Sequence, residues 1–206
     1  MNVLVKVCGL TLPEQVEEID AMGVDFVGFV FAAESPRRVT AARVASIAGG
    51  NARRVGVFTG QDAKEVKRIM DEAGLDMAQL HGGQDAEFCR AVGPERVIKV
   101  FWPERYASPE EFLRDMDRFG DLCGLMLLDA GASGGGSGKS LDFAALAGIH
   151  AQRPWLLAGG LNAENVVSAF AQARPAGVDL NSGVETSKGV KDIAKVKQAM
   201  QALKKL

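Results

Sequence analysis

Histidine is scarce in this chain: two residues in 206, His81 and His150. A histidine-built metal centre therefore lacks material, since His150 falls in an outer helix pattern and a zinc site takes three or four side-chain ligands. No metal and no cofactor is expected. Cysteine adds little. Cys8, Cys89 and Cys123 are odd in number, and no two are spaced as a metal or redox motif, which suggests free thiols in a reducing compartment. Charge of one sign is not concentrated anywhere. With 24 basic and 26 acidic side chains the net charge is −2, and no block invites nucleic acid or an anionic membrane. Long apolar runs are missing as well; the one around residues 122–128 is far too short to span a bilayer. The N-terminal Met1-Asn2-Val3-Leu4-Val5-Lys6 starts a strand pattern at once rather than a basic region followed by an apolar one, so no secretory signal is expected and the location reads as cytoplasmic.

What is present is alternation. Short apolar runs at Val3–Val7, Phe26–Phe31, Arg54–Phe58, Met77–Leu80, Val97–Phe101, Leu125–Leu128, Trp155–Ala158 and Val178–Leu180 read as strands. Amphipathic stretches follow each of them. Thr11-Leu12-Pro13-Glu14 reads as a capping box with Val16, Ile19 and Met22 on one face. A helix from Thr40 turns Val44 and Ile47 inward, and another buries Val66, Ile69, Met70 and Ala73. Phe88 and Val92 mark a fourth, and Ser108-Pro109-Glu110-Glu111 opens a fifth with an N-cap and a proline at the first helical position. Ser140 is expected to cap a helix carrying Phe143 and Leu146. Val166 with Phe170, then Ile193, Val196, Met200 and Leu203, complete the set. Eight strand-then-helix units, none joined by a tight hairpin, imply parallel strands with right-handed crossovers. The expectation is a single compact (β/α)8 TIM barrel over residues 1–206, with no extra domain. An open doubly wound sheet is second, because Cys8-Gly9-Leu10-Thr11 supplies one glycine where a dinucleotide fingerprint needs three.

In such a barrel the loops after the strand C-termini meet at one mouth. Leu125-Met126-Leu127-Leu128 ends in Asp129, just before the glycine-rich 133–138 and Lys139. A carboxylate at that point either caps the following loop or carries chemistry. The other residues projected to the mouth are Cys8, Arg37, His81, Gly159, Gly160, Ser182 and Gly183. Gly159-Gly160 and Asn181-Ser182-Gly183 follow strands seven and eight, the usual phosphate position, where backbone amides can approach an anion. Cys8 is either an inert buried thiol or a reactive one. Lys6 lies two residues earlier and so on the same face. A buried ammonium needs a carboxylate, and Asp179 on the adjoining strand is the candidate; such a cation is expected to favour the Cys8 thiolate. Arg37 is either solvated or a clamp for a planar carboxylate. His81 either lines the mouth or braces a turn. Lys139 suits phosphate or shielding of a ligand better than a Schiff base.

Taken in order, Lys6-Val7-Cys8-Gly9-Leu10-Thr11, Gly28-Phe29-Val30-Phe31 with Ser35-Pro36-Arg37, Gln79-Leu80-His81-Gly82, Leu128-Asp129 with Gly135-Gly136-Ser137-Gly138-Lys139, Leu157-Ala158-Gly159-Gly160-Leu161-Asn162 and Asp179-Leu180-Asn181-Ser182-Gly183-Val184-Glu185 resemble the phosphoribosylanthranilate isomerase family, from the first strand to the last helix. The resemblance implies an Amadori rearrangement in tryptophan biosynthesis, converting an N-phosphoribosyl anthranilate aminoaldose to its 1-amino-1-deoxyketose phosphate without a cofactor. It implies Asp129 as acid, Cys8 as base, Arg37 on the anthranilate carboxylate, and Gly159, Gly160, Ser182 and Gly183 around the phosphate. His81, from its place after the fourth strand, is counted with the substrate-binding residues. The partner implied is a phosphosugar carrying anthranilate, for a monomer or homodimer. Two rivals stand beside it. One is another phosphosugar barrel enzyme such as an indole-glycerol-phosphate-synthase-like catalyst, which would want more lysine and glutamate at the mouth. The other is a non-catalytic phosphosugar-binding barrel.

Overall fold

A computed structural model of the chain describes residues 3–129 and 143–206. The glycine-rich loop after Asp129, Lys139 in it and the expected Ser140 cap lie outside the described residues.

Eight parallel strands close into a barrel in sequence order: β1 (Leu4–Val7), β2 (Phe26–Val30), β3 (Arg53–Phe58), β4 (Met77–Leu80), β5 (Val97–Phe101), β6 (Leu125–Asp129), β7 (Trp155–Ala158) and β8 (Gly177–Leu180). Closure is made by β1 on β8, with Lys6 opposite Asp179 and Val7 opposite Leu180. Outside lie α1 (Pro13–Asp20), α2 (Ala41–Ala45), α3 (Ala63–Ala73), α4 (Ala86–Val92), α5 (Pro109–Arg118), α6 (Val166–Ala173) and α7 (Ile193–Leu203). Local chemistry sets their starts. Thr40, Asp62, Asp85 and Ser108 each accept a hydrogen bond from the amide three residues on. Gly74, at φ 62°, stops α3 in the left-handed conformation that glycine adopts without strain.

Three expectations are corrected. Thr11 does not cap α1: the helix begins after Leu12 without a side-chain cap, and the Thr11 hydroxyl donates instead to the Gly189 carbonyl at 2.6 Å. Phe143–Leu146 forms a single 3-10 turn rather than part of an α-helix, within the described portion of that crossover. A hairpin is present after β8: β9 (Glu185–Ser187) pairs antiparallel with β10 (Val190–Lys191). Gly189, at φ 85°, serves its tight turn.

Strand parity sorts the core into two compartments. Side chains of one parity, including Phe26, Val55, Met77, Ile98, Val100, Leu125, Leu127 and Leu156, fill the barrel interior. Those of the other parity pack beneath the helices. Each fully buried side chain of this kind contributes about 1.5–3 kcal/mol relative to exposure. A buried charge lies in the outer compartment. Lys99 of β5 is buried, donates from Nζ to the Gln84 carbonyl at 2.6 Å and lies 4.6 Å from the centre of the Phe119 ring.

Burial lowers the Lys99 pKa below its ordinary value. The protonated form is thus disfavoured in the folded state but not in the unfolded one. At neutral pH both states are charged and the penalty is complete; it is relieved as pH climbs through the lowered pKa toward the unfolded value of about 10.4. Lys99→Met removes that penalty at all pH. Urea unfolding of both proteins between pH 7 and 10.5 should show the variant losing ground to the wild type as pH rises, whereas a constant difference would mean Lys99 is not shifted.

Candidate active site

The period of two that builds the barrel interior also aims the site. Leu4 faces inward, so Lys6 and Cys8 do too; Met77 carries Gln79 and His81; Ile98 and Val100 carry Trp102; Leu125 and Leu127 carry Asp129. Of these, Cys8, His81, Trp102 and Asp129 form the top layer at the C-terminal mouth. In the circuit of strands β7 and β8 lie between Asp129 on β6 and Cys8 after β1.

Beneath this layer sits the expected ion pair. Lys6 Nζ is 3.0 Å from both carboxylate oxygens of Asp179, and the lysine is fully buried. Burial alone would lower the Lys6 pKa, but Asp179 and the neighbouring Cys8 outweigh it and the net shift is upward. Lys6 is therefore a fixed cation.

Cys8 is 3% exposed and packs against Val30 and Val57. Gly28 leaves room for it: a Cβ there would stand 2.7 Å from the Cys8 Sγ. The expected lowering of its pKa is not found. Burial raises it, and the opposing pull of Lys6 is too small to reverse the sign. Burial is the largest influence, and Asp179, which pairs with the ammonium, adds to it by acting against the thiolate. The thiol is thereby the favoured form of Cys8 near neutral pH.

His81 lies beside Asp129, with its Nε2 3.7 Å from Asp129 Oδ2. Its other ring nitrogen is 3.2 Å from Gln79 Nε2, and its ring meets Trp102 edge-on at 5.0 Å. Burial, then Lys6, hold its pKa at about 4, so the imidazole is neutral at physiological pH. With the Gln79 amide donating to Nδ1, the ring proton is on Nε2, facing the carboxylate.

Arg37 follows a short turn in which its amide donates to Ser35 Oγ at 3.1 Å. Its Nε and Nη2 donate to the two oxygens of Glu185 at 2.8 and 2.7 Å. Glu185 also takes Lys191 Nζ at 2.9 Å and the Gly189 amide at 3.2 Å. Burial pushes its pKa up, but Arg37, Lys191 and that amide overcome it and hold it at about 2.

The two glycine turns are in contact. A Cβ on Gly183 would strike the Leu161 carbonyl oxygen, so glycine is required there by backbone packing between the turns. Gly159 and Gly160 are at φ 122° and 66°, and Gly160 has open space where a Cβ would be. Gly160 and Ser182 are exposed at the surface of the mouth. The helical segment Ser182–Val184 is a single 3-10 turn, too short for a substantial dipole, so backbone amides rather than a helix end are what it offers.

Gln79, Trp102 and Lys191 escaped the reading of the sequence. Gln79 and Trp102 carry a parity signal, each two residues from another inward position. Lys191 has none, because it arrives on the unforeseen hairpin.

A family model described as N-(5'phosphoribosyl)anthranilate (PRA) isomerase matches residues 5–202. The chain belongs to this family. A curated N-(5'-phosphoribosyl)anthranilate isomerase of Maridesulfovibrio salexigens is 50% identical over 203 residues, which are 98% of this chain and 99% of that one. The crystal structure of phosphoribosyl anthranilate isomerase from Thermotoga maritima superposes with a TM-score of 0.87 at 32% identity, with both chains covered completely. A second phosphoribosyl anthranilate isomerase structure, in complex with reduced 1-(o-carboxyphenylamino)-1-deoxyribulose 5-phosphate, gives 0.84 at 30% identity, again over the whole of both chains. The isomerase fold and the expectation of a (β/α)8 barrel thus agree throughout the described residues.

Removing one partner of the Lys6–Asp179 pair leaves a buried charge uncompensated. Asp179→Asn should cost about 3–5 kcal/mol in urea unfolding, while Lys6→Met combined with Asp179→Leu should recover most of that loss. A double variant no more stable than Asp179→Asn would show that the pair's net charge balance is not what matters.

Proposed function

We propose that the mouth converts N-(5'-phosphoribosyl)anthranilate to 1-(2-carboxyphenylamino)-1-deoxyribulose 5-phosphate by an acid–base Amadori rearrangement, the isomerase step of tryptophan biosynthesis. Asp129 protonates the ribose ring oxygen, which opens the ring to a Schiff base. Cys8 takes the proton from C2, and the resulting enolamine tautomerises to the ketose. The substrate nitrogen accepts the electron pair. Arg37 receives the anthranilate carboxylate. Gly159, Gly160, Ser182 and Gly183 hold the phosphate through their backbone amides. His81, neutral, faces Asp129 with its Nε2 3.7 Å from the carboxylate and borders the substrate.

The observation that carries this reading is positional. A thiol and a carboxylate share the inward parity at the ends of β1 and β6, and the contacting glycine turns of β7 and β8 lie between them. One phosphosugar reaching those turns has an acid on one flank and a base on the other. A non-catalytic binding barrel gives no reason for that thiol to be enclosed beside a fixed cation. A ring-closing synthase needs lysines or glutamates that reach the reacting atoms, whereas Glu185 is bound by Arg37 and Lys191. The three cysteines, all free and buried, suit a reducing cytoplasm.

Because burial raises the Cys8 pKa, the thiolate is the minority form in the free enzyme near neutrality. With an acid that must keep its proton and a base that must lose it, the base sets the alkaline limb whenever it titrates above the acid. The alkaline limb of kcat/KM should therefore lie above the ordinary thiol range and disappear in Cys8→Ser. Both Cys8→Ser and Asp129→Asn should lower kcat by about two to four powers of ten. An analogue supplied as the open Schiff base needs no ring protonation, so it should restore Asp129→Asn and leave Cys8→Ser slow. Equal restoration of both, or a near wild-type rate in either variant on the natural substrate, would overturn the assignment.

A further inference from the structure

We infer that Glu185 is a positioning residue for Arg37, and that it decides how strongly the enzyme prefers a ligand bearing the aromatic carboxylate. The inference rests on the reading of Arg37 as the partner of that carboxylate. A guanidinium offers two forked edges. Glu185 takes the Nε–Nη2 edge with both oxygens, at 2.8 and 2.7 Å. The remaining edge, Nη1 with the second Nη2 proton, is then the one available to a ligand, and among the described residues Arg37 makes no other side-chain hydrogen bond.

The arrangement holds Glu185 as firmly as Glu185 holds Arg37. Its side chain is 6% exposed and carries four hydrogen bonds, two from Arg37 and one each from Lys191 Nζ and the Gly189 amide. Lys191, whose side chain is fully buried, is itself fixed on the Asn181 carbonyl and amide oxygens at 3.1 and 2.8 Å. The stem of Arg37 is confined too, since a Cβ on Gly9 would lie 2.6 Å from Arg37 Cδ. An unbraced arginine loses rotamer freedom when it binds a carboxylate; one already braced along its other edge has lost it beforehand. Glu185 cannot swing away to accept a substrate proton while two cations hold it. Its task is geometric, and it acts through Arg37.

A purely structural Glu185, pinning the hairpin to the barrel, would affect all ligands alike. A double-mutant cycle separates the two roles. The probes are reduced 1-(o-carboxyphenylamino)-1-deoxyribulose 5-phosphate and its phenylamino counterpart without the carboxylate. The readout is the ratio of their Kd values by calorimetry. Glu185→Gln should shrink the preference for the carboxylated probe by about tenfold or more, with the other probe little changed. In an Arg37→Gln background the same change should move the ratio less than about twofold. If Arg37→Gln alone leaves the ratio intact, the assignment of Arg37 fails and the inference falls with it. If Arg37→Gln collapses the ratio but Glu185→Gln does not, only the inference falls. An equal loss of affinity for both probes, or a further drop in the Arg37→Gln background, likewise overturns it. The wild-type enzyme supplies a check that does not depend on the folding of Glu185→Gln. The Arg37 Nε–H, identified by NMR as the signal missing in Arg37→Gln, should exchange slowly without ligand. Exchange as fast as that of a surface arginine would show that Glu185 does not hold that edge.

Discussion

A buried lysine and aspartate at the seam of the barrel set the terms for everything above them. Lys6 and Asp179 face each other across β1 and β8, the pair of strands that closes the sheet. A slip of one residue in that register would turn every side chain of one strand to the other face. It would send one charge beneath the helices and leave its partner alone in the barrel. The penalty for such a slip is that of a buried, unpaired ion, larger than any single apolar contact nearby. The same pairing fixes the position of Cys8, two residues on from Lys6, and its carboxylate adds to the burial that keeps the thiol protonated. An ammonium beside a thiol suggests a thiolate only while the ammonium is uncompensated. Here burial is the largest influence on the thiol, and the carboxylate that makes the lysine tolerable in the interior also acts against the thiolate. The stability requirement and the catalytic requirement compete for one cation.

The second cluster is balanced differently. Arg37 and Lys191 bring two positive charges to the single negative charge of Glu185. The group keeps one excess positive charge close to the mouth of a chain whose net charge is −2. A ligand carrying both a carboxylate and a phosphate would meet that local excess rather than the overall sign. His81, neutral because burial and Lys6 hold its pKa at about 4, adds no charge beside Asp129.

Most of the architecture was legible in the sequence because it rests on period-two and 3.6-residue patterns, which buried strands and their crossover helices display openly. The eight strands appear within one residue of the expected runs, and Asp179 was found as the partner of Lys6 by parity and adjacency alone. What escaped has physical causes. Thr11 has the spacing of a cap, but the helix starts one residue later, with Leu12 at the cap position, and the Thr11 hydroxyl donates to the Gly189 carbonyl. The Cys8 shift was misjudged because a sequence shows that a cation is close without showing how completely the thiol is buried or that Asp179 acts against the thiolate. Gln79 could have been found by extending parity from His81. The Glu185–Lys191 hairpin could not, since five residues of strand in a loop leave no period to recognise.

The displaced cap joins these observations. Strand-borne groups such as Cys8, Asp129 and His81 inherit their precision from the barrel ladder, so their placement needs no further support. Glu185 and Lys191 stand on a short hairpin, which alone would be marginally stable. The start of α1 supplies what the hairpin lacks: Thr11 takes Gly189, and the Gln15 amide meets Lys191 at both its carbonyl and its amide, at 2.6 and 2.9 Å. The helix forgoes a side-chain cap, worth about 1 kcal/mol in an ordinary helix, and relies on Pro13 at its first turn instead. That hydroxyl secures the loop that holds Arg37. A local rule of helix initiation is broken at the place where a loop must become as rigid as a strand, which is where the consistency of a natural sequence is expected to give way to function.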